Sequence, residues 1–204
     1  MSNFTLKELN FSRIRQWLFD AKNKQDIDPV YSFIATWISF NHFYATFSST
    51  NRKGFSEWLN RPRSGDRAQL MYLIQTKEFV EFFNTFKSEQ PILFSVEIKL
   101  PVIDLLNKKD IPDGVKGKYI LNNLPINQIF EVIYQIRNNL FHGNKDPFRD
   151  IRDKELSQFG SEFMLLFISN LLLRTYGEEE DIFDKQHQED IEIVKRIANR
   201  GIKD

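Results

Sequence analysis

The chain has 204 residues, with 28 Lys plus Arg against 28 Asp plus Glu, and no Cys. That length fits one domain, and a hydrophobic share of 41% with 20 Phe supplies a large aromatic core. Zero net charge excludes a uniformly basic nucleic-acid coat, though not a local basic patch. The absence of Cys excludes disulfides, thiolate nucleophiles and Cys-based zinc sites.

The N-terminal stretch MSNFTLKELNFSRIRQWLF lacks the continuous apolar segment of a signal peptide. The apolar run from Phe163 to Leu173 is broken by Ser169 and Asn170, too short for the roughly 20 residues that span a bilayer. The expectation is a cytoplasmic protein with no membrane partner.

Helical periodicity dominates the chain. Between Asn10 and Lys24, Phe11, Ile14, Leu18 and Ala21 recur at three- and four-residue steps. Asp28 is placed to cap a second helix with Pro29 in its first turn, continuing through VYSFIATWISFNHFYATF. That helix is apolar on most sides, the mark of a central element. Ser48 to Asp66 reads as a polar connector with a short helix at Phe55 to Leu59. Arg67 to Gln75 and Lys77 to Lys87 read as two shorter helices or one bent one.

PILFSVEIKLPVIDLLN mixes signals. Pro101 and the lack of a second clear strand favour helix and loop over a strand. NKKDIPDGVKGK is a loop by its Pro, Gly and charge. Pro125 opens a helix to about His142, with Gly143 placed as its C-terminal cap. DPFRDIRD reads as a connector before a helix from Lys154 to Tyr176, stopped by Gly177. An acidic hinge, EEEDIFD, leads to a last amphipathic helix near Gln188 to Asn199. There is no fixed-period repeat, and no compositional break marks a domain boundary. The fold class expected is all-α, as one domain over 1–204.

The chemistry concentrates in IYQIRNNLFHGN. Arg137 is followed directly by Asn138, and His142 comes after four intervening residues. At about 100° per residue, Asn138 and His142 share a helix face and Arg137 lies about 140° from His142, at that face's edge. Glu131 and Gln135 extend a polar stripe on the Asn138 side. Ile129, Val132, Ile133, Ile136 and Leu140 fall mostly opposite and should meet the core.

This window resembles the HEPN superfamily (higher eukaryote and prokaryote nucleotide-binding domains), whose motif is Arg, four to six residues, then His, usually with a polar residue after the Arg. The likeness covers only these few residues. It implies a HEPN-like helical bundle, here with additional helices and a long loop, that pairs into a homodimer sharing one cleft. It also implies a metal-independent endoribonuclease of toxin–antitoxin or antiviral kind, without a cofactor, and held by a cognate antitoxin or regulatory protein. Some members carry a Tyr two residues after the His as a modification target, and here that position is Asn144.

The residue types suit RNA cleavage by the substrate's own 2′-hydroxyl. Histidine titrates near neutrality and serves as general acid or base. A guanidinium fork matches the oxygens of a charged phosphorane. The site expected is therefore Arg137 as phosphate stabiliser, Asn138 as orienter or phosphate contact and His142 as acid or base. Lys145, Arg149 and Arg152 follow closely in the chain and are the candidate RNA-backbone contacts. Two further basic clusters, Arg52, Lys53, Arg61, Arg63 and Arg67, then Lys108, Lys109, Lys116 and Lys118, fit solvated surface.

The ordinary readings of the same residues are an ion pair for Arg137 and a helix C-terminal contact for His142. A non-catalytic RNA- or nucleotide-binding module and a helical adaptor are the alternative functions. His42 fits a satisfied polar core position and His187 a solvated one. Three scattered His without a His-x-x-x-His pair point to no metal site. There is no Gly-rich phosphate loop and no nucleophile elbow.

Overall fold

In the computed structural model, residues 11–59, 65–99, 101–104, 107–141, 147, 149–176, 192 and 195–196 are described. Among them the protein is mostly helical, with eight α-helices and four strands of two or three residues. This is the all-α class expected.

α1 (Phe11–Lys24) buries Ile14, Leu18 and Ala21 and ends on Lys22 and Lys24, whose charge suits a helix C-terminus. α2 (Pro29–Thr50) starts where expected: the Asp28 carboxylate accepts from the Tyr31 amide at 2.9 Å, and Pro29 occupies the first turn. Twelve residues of α2 are buried, from Ser32 to Ser48, so it is the central helix. It packs against α1, α3 (Arg52–Leu59), α4 (Asp66–Ile74), α7 (Ile126–Phe141) and α8 (Ile151–Tyr176).

α5 (Lys77–Glu89) presents Phe79, Phe82, Phe83 and Phe86, one apolar stripe at three- and four-residue steps. These rings meet α7 and α8 in a dense phenylalanine cluster. The Phe167 centroid lies 5.3–6.3 Å from those of Phe40, Phe79, Phe82, Phe83, Phe86, Phe130 and Phe163. Edge-on and tilted pairs of this kind add about 0.5–1.5 kcal/mol each beyond area burial. One buried core runs from Ile14 to Leu172.

α8 begins at Ile151, earlier than the Lys154 read from sequence. The Asp150 carboxylate accepts from the backbone amides of Arg152, at 2.8 Å, and Asp153, at 3.1 Å, which caps the first turn. By length and composition α8 could cross a membrane, contrary to the reading of its apolar run as too short. Most of that run is buried inside the protein, as in a core helix. Its buried hydroxyls are satisfied locally: Ser157, Ser169 and Thr175 each donate to the carbonyl four residues back at 2.7 Å. Gly160 faces Phe33 of α2, where a Cβ would come within 3.0 Å of the ring, and Ser161 donates to Ser32 at 2.6 Å. The two longest helices therefore cross closely at this point.

The segment read as helix and loop is corrected in part. α6 (Pro91–Phe94) is a single turn, followed by β1 (Glu97–Ile98) and β2 (Val102–Asp104). β2 pairs antiparallel with β3 (Lys109–Ile111), and β1 pairs with β4 (Tyr119–Ile120). Gly114 and Gly117 take φ of +78° and +87° between β3 and β4, a left-handed geometry that suits glycine. The proposed last helix, Gln188 to Asn199, and the cap at Gly143 fall mostly or wholly outside the described residues.

Candidate functional site

α7 follows the pattern expected on its apolar side. Ile129, Val132, Ile133 and Ile136 are buried, and Leu140 packs against the core. The helix then carries two polar flanks, one on either side of that stripe.

The first flank holds Arg137. Its guanidinium does not reach out along the helix surface. It turns toward the junction of α2 and α4, and its side chain is only 20% exposed. Nη1 donates to Asn138 Oδ1 at 2.8 Å, and Nη2 lies 3.5 Å from Asp66 Oδ2. Three rings surround the head group, with its central carbon 4.5 Å from the Phe141 centroid, 5.7 Å from Tyr134 and 5.8 Å from Trp37. Rings at such distances attract a cation by their quadrupole. Arg137 Nε and Trp37 Nε1 are buried, with no hydrogen-bond partner among the described residues.

Asp66 occupies the first turn of α4, where the helix N-terminus favours a carboxylate. Its Oδ1 accepts from the Tyr134 hydroxyl and from the Arg67 amide, each at 2.8 Å. The next residue, Arg67, reaches Glu131 on α7 at 2.9 Å. Two ion pairs and one phenol thus tie the start of α4 to α7. Burial, then the hydrogen bond to Asp66 and its charge, push the Tyr134 phenol up to about 12, although the Arg137 charge opposes this. Tyr44, which accepts from Asn41 at 2.7 Å, is pushed well above the usual tyrosine range by burial, with Asp66 adding to it. Both phenols are neutral near physiological pH.

The second flank contradicts one expectation. Gln135, read as part of an exposed polar stripe with Glu131, is buried. Its Nε2 donates to Asn139 Oδ1 at 2.8 Å, and Asn139 Nδ2 donates to the Ile103 carbonyl at 3.0 Å. The β2–β3 hairpin covers this side of the helix, which no period in α7 alone announces. Of the stripe, Glu131 and Asn138 remain partly exposed.

The remaining candidates divide. His142 and Lys145 lie outside the described residues. Arg149 is exposed. Arg152 is half-buried, and its Nη2 donates to the Pro101 carbonyl beside the hairpin. It lines a small pocket with Asn139, Ile136 and Leu140, and Asn139 stands about 160° around α7 from Arg137. Arg137 and Asn138 are therefore brought together, whereas Arg152 belongs to the opposite flank. Asp66, Tyr134, Trp37 and Phe141 were not singled out from the sequence around Arg137. Phe141 and Tyr134, four and three residues from Arg137, were within reach of a helical-spacing argument. Asp66 was not, because its contact is long-range.

His42 is half-buried, and burial with the nearby Arg13 charge holds its imidazole below its ordinary value. His187 lies outside the described residues. No group of three or more His, Asp or Glu that could hold a metal occurs among the described residues. Comparison with protein-family models, with curated proteins and with solved structures finds no match to this chain.

Proposed function

We propose that the chain is a HEPN-type, metal-independent endoribonuclease. The observation that carries the reading is the 2.8 Å bond from Arg137 Nη1 to Asn138 Oδ1, in a sequence where His142 follows four residues on. It couples the two polar residues of the motif and leaves guanidinium hydrogens for a phosphate. In the reaction the substrate 2′-oxygen attacks phosphorus, the bond from phosphorus to the 5′-oxygen breaks, and a 2′,3′-cyclic phosphate forms. A proton leaves the 2′-hydroxyl and another reaches the 5′-oxygen. His142 serves one of these transfers, and Arg137 stabilises the charge on the phosphorane.

The same proposal includes a homodimer joining two motifs in one cleft, a cytoplasmic setting, and a toxin or antiviral role under a cognate regulator. Lys145 and Arg149 are the proposed backbone contacts, whereas Arg152, on the hairpin side of α7, is engaged with the Pro101 carbonyl and is left out of the proposal. Incubation with total RNA in EDTA tests the activity. The wild type yields 2′,3′-cyclic ends, and His142→Ala and Arg137→Ala each abolish cleavage while keeping the helical signal. Cleavage unchanged in both variants overturns the assignment.

A second reading is favoured by one observation, the pairing of a largely buried Arg137 with Asp66. It makes Arg137 an architectural residue and the chain a non-catalytic RNA- or nucleotide-binding module, or a helical adaptor. Salt-dependent RNA binding without cleavage selects the module. A stable hetero-complex without nucleic-acid binding selects the adaptor.

A further inference from the structure

We infer that Asp66 is a positioning residue for Arg137, with Tyr134 as the strut that fixes the carboxylate. The inference rests on the ribonuclease reading of Arg137. Asp66 Oδ1 is held at 2.8 Å by both the Tyr134 hydroxyl and the Arg67 amide, which sets the plane of the carboxylate. Oδ2 then lies 3.5 Å from Arg137 Nη2, within ion-pair range but longer than a good hydrogen bond.

That length matters. A bidentate carboxylate would occupy the parallel donors that a phosphodiester needs. A single carboxylate oxygen at 3.5 Å aims the fork without filling it. Asn138 fixes Nη1, while Trp37, Tyr134 and Phe141 pack around the head group. The guanidinium is thereby oriented by a charge, an amide and three rings, and Nε has no acceptor among the described residues.

The carboxylate has an opposite effect on binding. It places a negative charge close to where phosphate oxygens must arrive, and like charges repel. Asp66 thus improves the geometry of the transition state and weakens the ground-state complex. Removing its charge moves kcat and KM in the same downward direction, which a loss of folded protein does not do.

The test uses the full chain and a fluorescein-labelled single-stranded RNA 30-mer of mixed sequence. Steady-state cleavage is compared for the wild type, Asp66→Asn, Asp66→Glu, Tyr134→Phe and Arg137→Ala. Asp66→Asn lowers kcat on the order of tenfold to a hundredfold, the scale of a small misplacement, and also lowers KM. Tyr134→Phe shifts both in the same sense by less, and Asp66→Glu recovers part of kcat. Wild-type kcat and KM in Asp66→Asn, with cleavage still lost in Arg137→Ala, removes the role of Asp66 and leaves the ribonuclease reading standing. A wild type that cuts no RNA removes both. If Asp66→Asn loses its helical circular dichroism, the kcat and KM of Tyr134→Phe decide, and wild-type values there overturn the inference.

Discussion

The two polar flanks of α7 do different work. On one, Gln135, Asn139 and the Ile103 carbonyl form a neutral chain of hydrogen bonds under the hairpin. On the other, Arg137 keeps donors in hand, held by rings and a distant carboxylate. A buried amide whose partners are supplied by the fold is structural. A guanidinium that is 20% exposed and makes one hydrogen bond and one long ion pair among the described residues retains Nη hydrogens that a ligand could take. The comparison assigns stability to the flank of Gln135 and Asn139 and, under the proposed function, chemistry to the Arg137 flank.

The variant with the largest expected effect tests the apolar stripe that both flanks share. Phe130→Ala removes a ring whose centroid lies 5.3–6.5 Å from those of Phe40, Phe79, Phe83, Phe163 and Phe167. It should cost about 3–5 kcal/mol in denaturant unfolding. A loss below about 1 kcal/mol would mean that α7 is not held by this core.

Asn139→Ala comes next. It strips partners from Gln135 and from the Ile103 carbonyl, for a cost of about 1–3 kcal/mol, with RNA cleavage per folded molecule unchanged. Lost cleavage in a stable Asn139→Ala protein would break the division between the flanks. Arg137→Ala should cost about 1–2 kcal/mol, through its ring contacts, while abolishing cleavage. A thermal midpoint for Arg137→Ala clearly below that of Asn139→Ala would reverse the assignment.

A pH titration sharpens the same point. The Tyr134 phenol has its value raised from 10.0 to about 12. A group so raised contributes stability that is complete below pH 10 and is lost as pH climbs through about 12. Stability should therefore fall across that alkaline window, with Tyr44 and Tyr119, also raised by burial, adding to the slope. Tyr134→Phe should flatten one share of it, and an unchanged slope would show that burial and the Asp66 contact do not raise the phenol. The smallest effect belongs to Arg67→Ala. Its pair with Glu131 is solvent-exposed on the Arg67 side, and the variant should lose less than about 1 kcal/mol.

What was legible in the sequence was local. Asp28 and Pro29 announced the start of α2, and the Phe79 to Phe86 spacing follows from helical period alone. The strands escaped because each ladder spans two or three residues, too short for alternation to register, and β1 finds its partner in β4 far along the chain. Asp150 was present as a cap, but the charges around it read as connector. The Arg137 and Asn138 pair was visible as adjacent motif residues. The Asp66 contact and the burial of Gln135 were not, since both depend on elements distant in sequence folding over α7.

The close crossing at Gly160 carries a consequence for biosynthesis. Ser32 and Ser161, bonded across it, are 129 positions apart, and the cluster around Phe167 is completed only by the last long helix. A nascent chain on the ribosome must therefore carry the rings of α2 and α5 uncovered until translation has passed Tyr176 and that helix has cleared the exit tunnel. Until then the aromatic surface that α8 covers stays open to solvent.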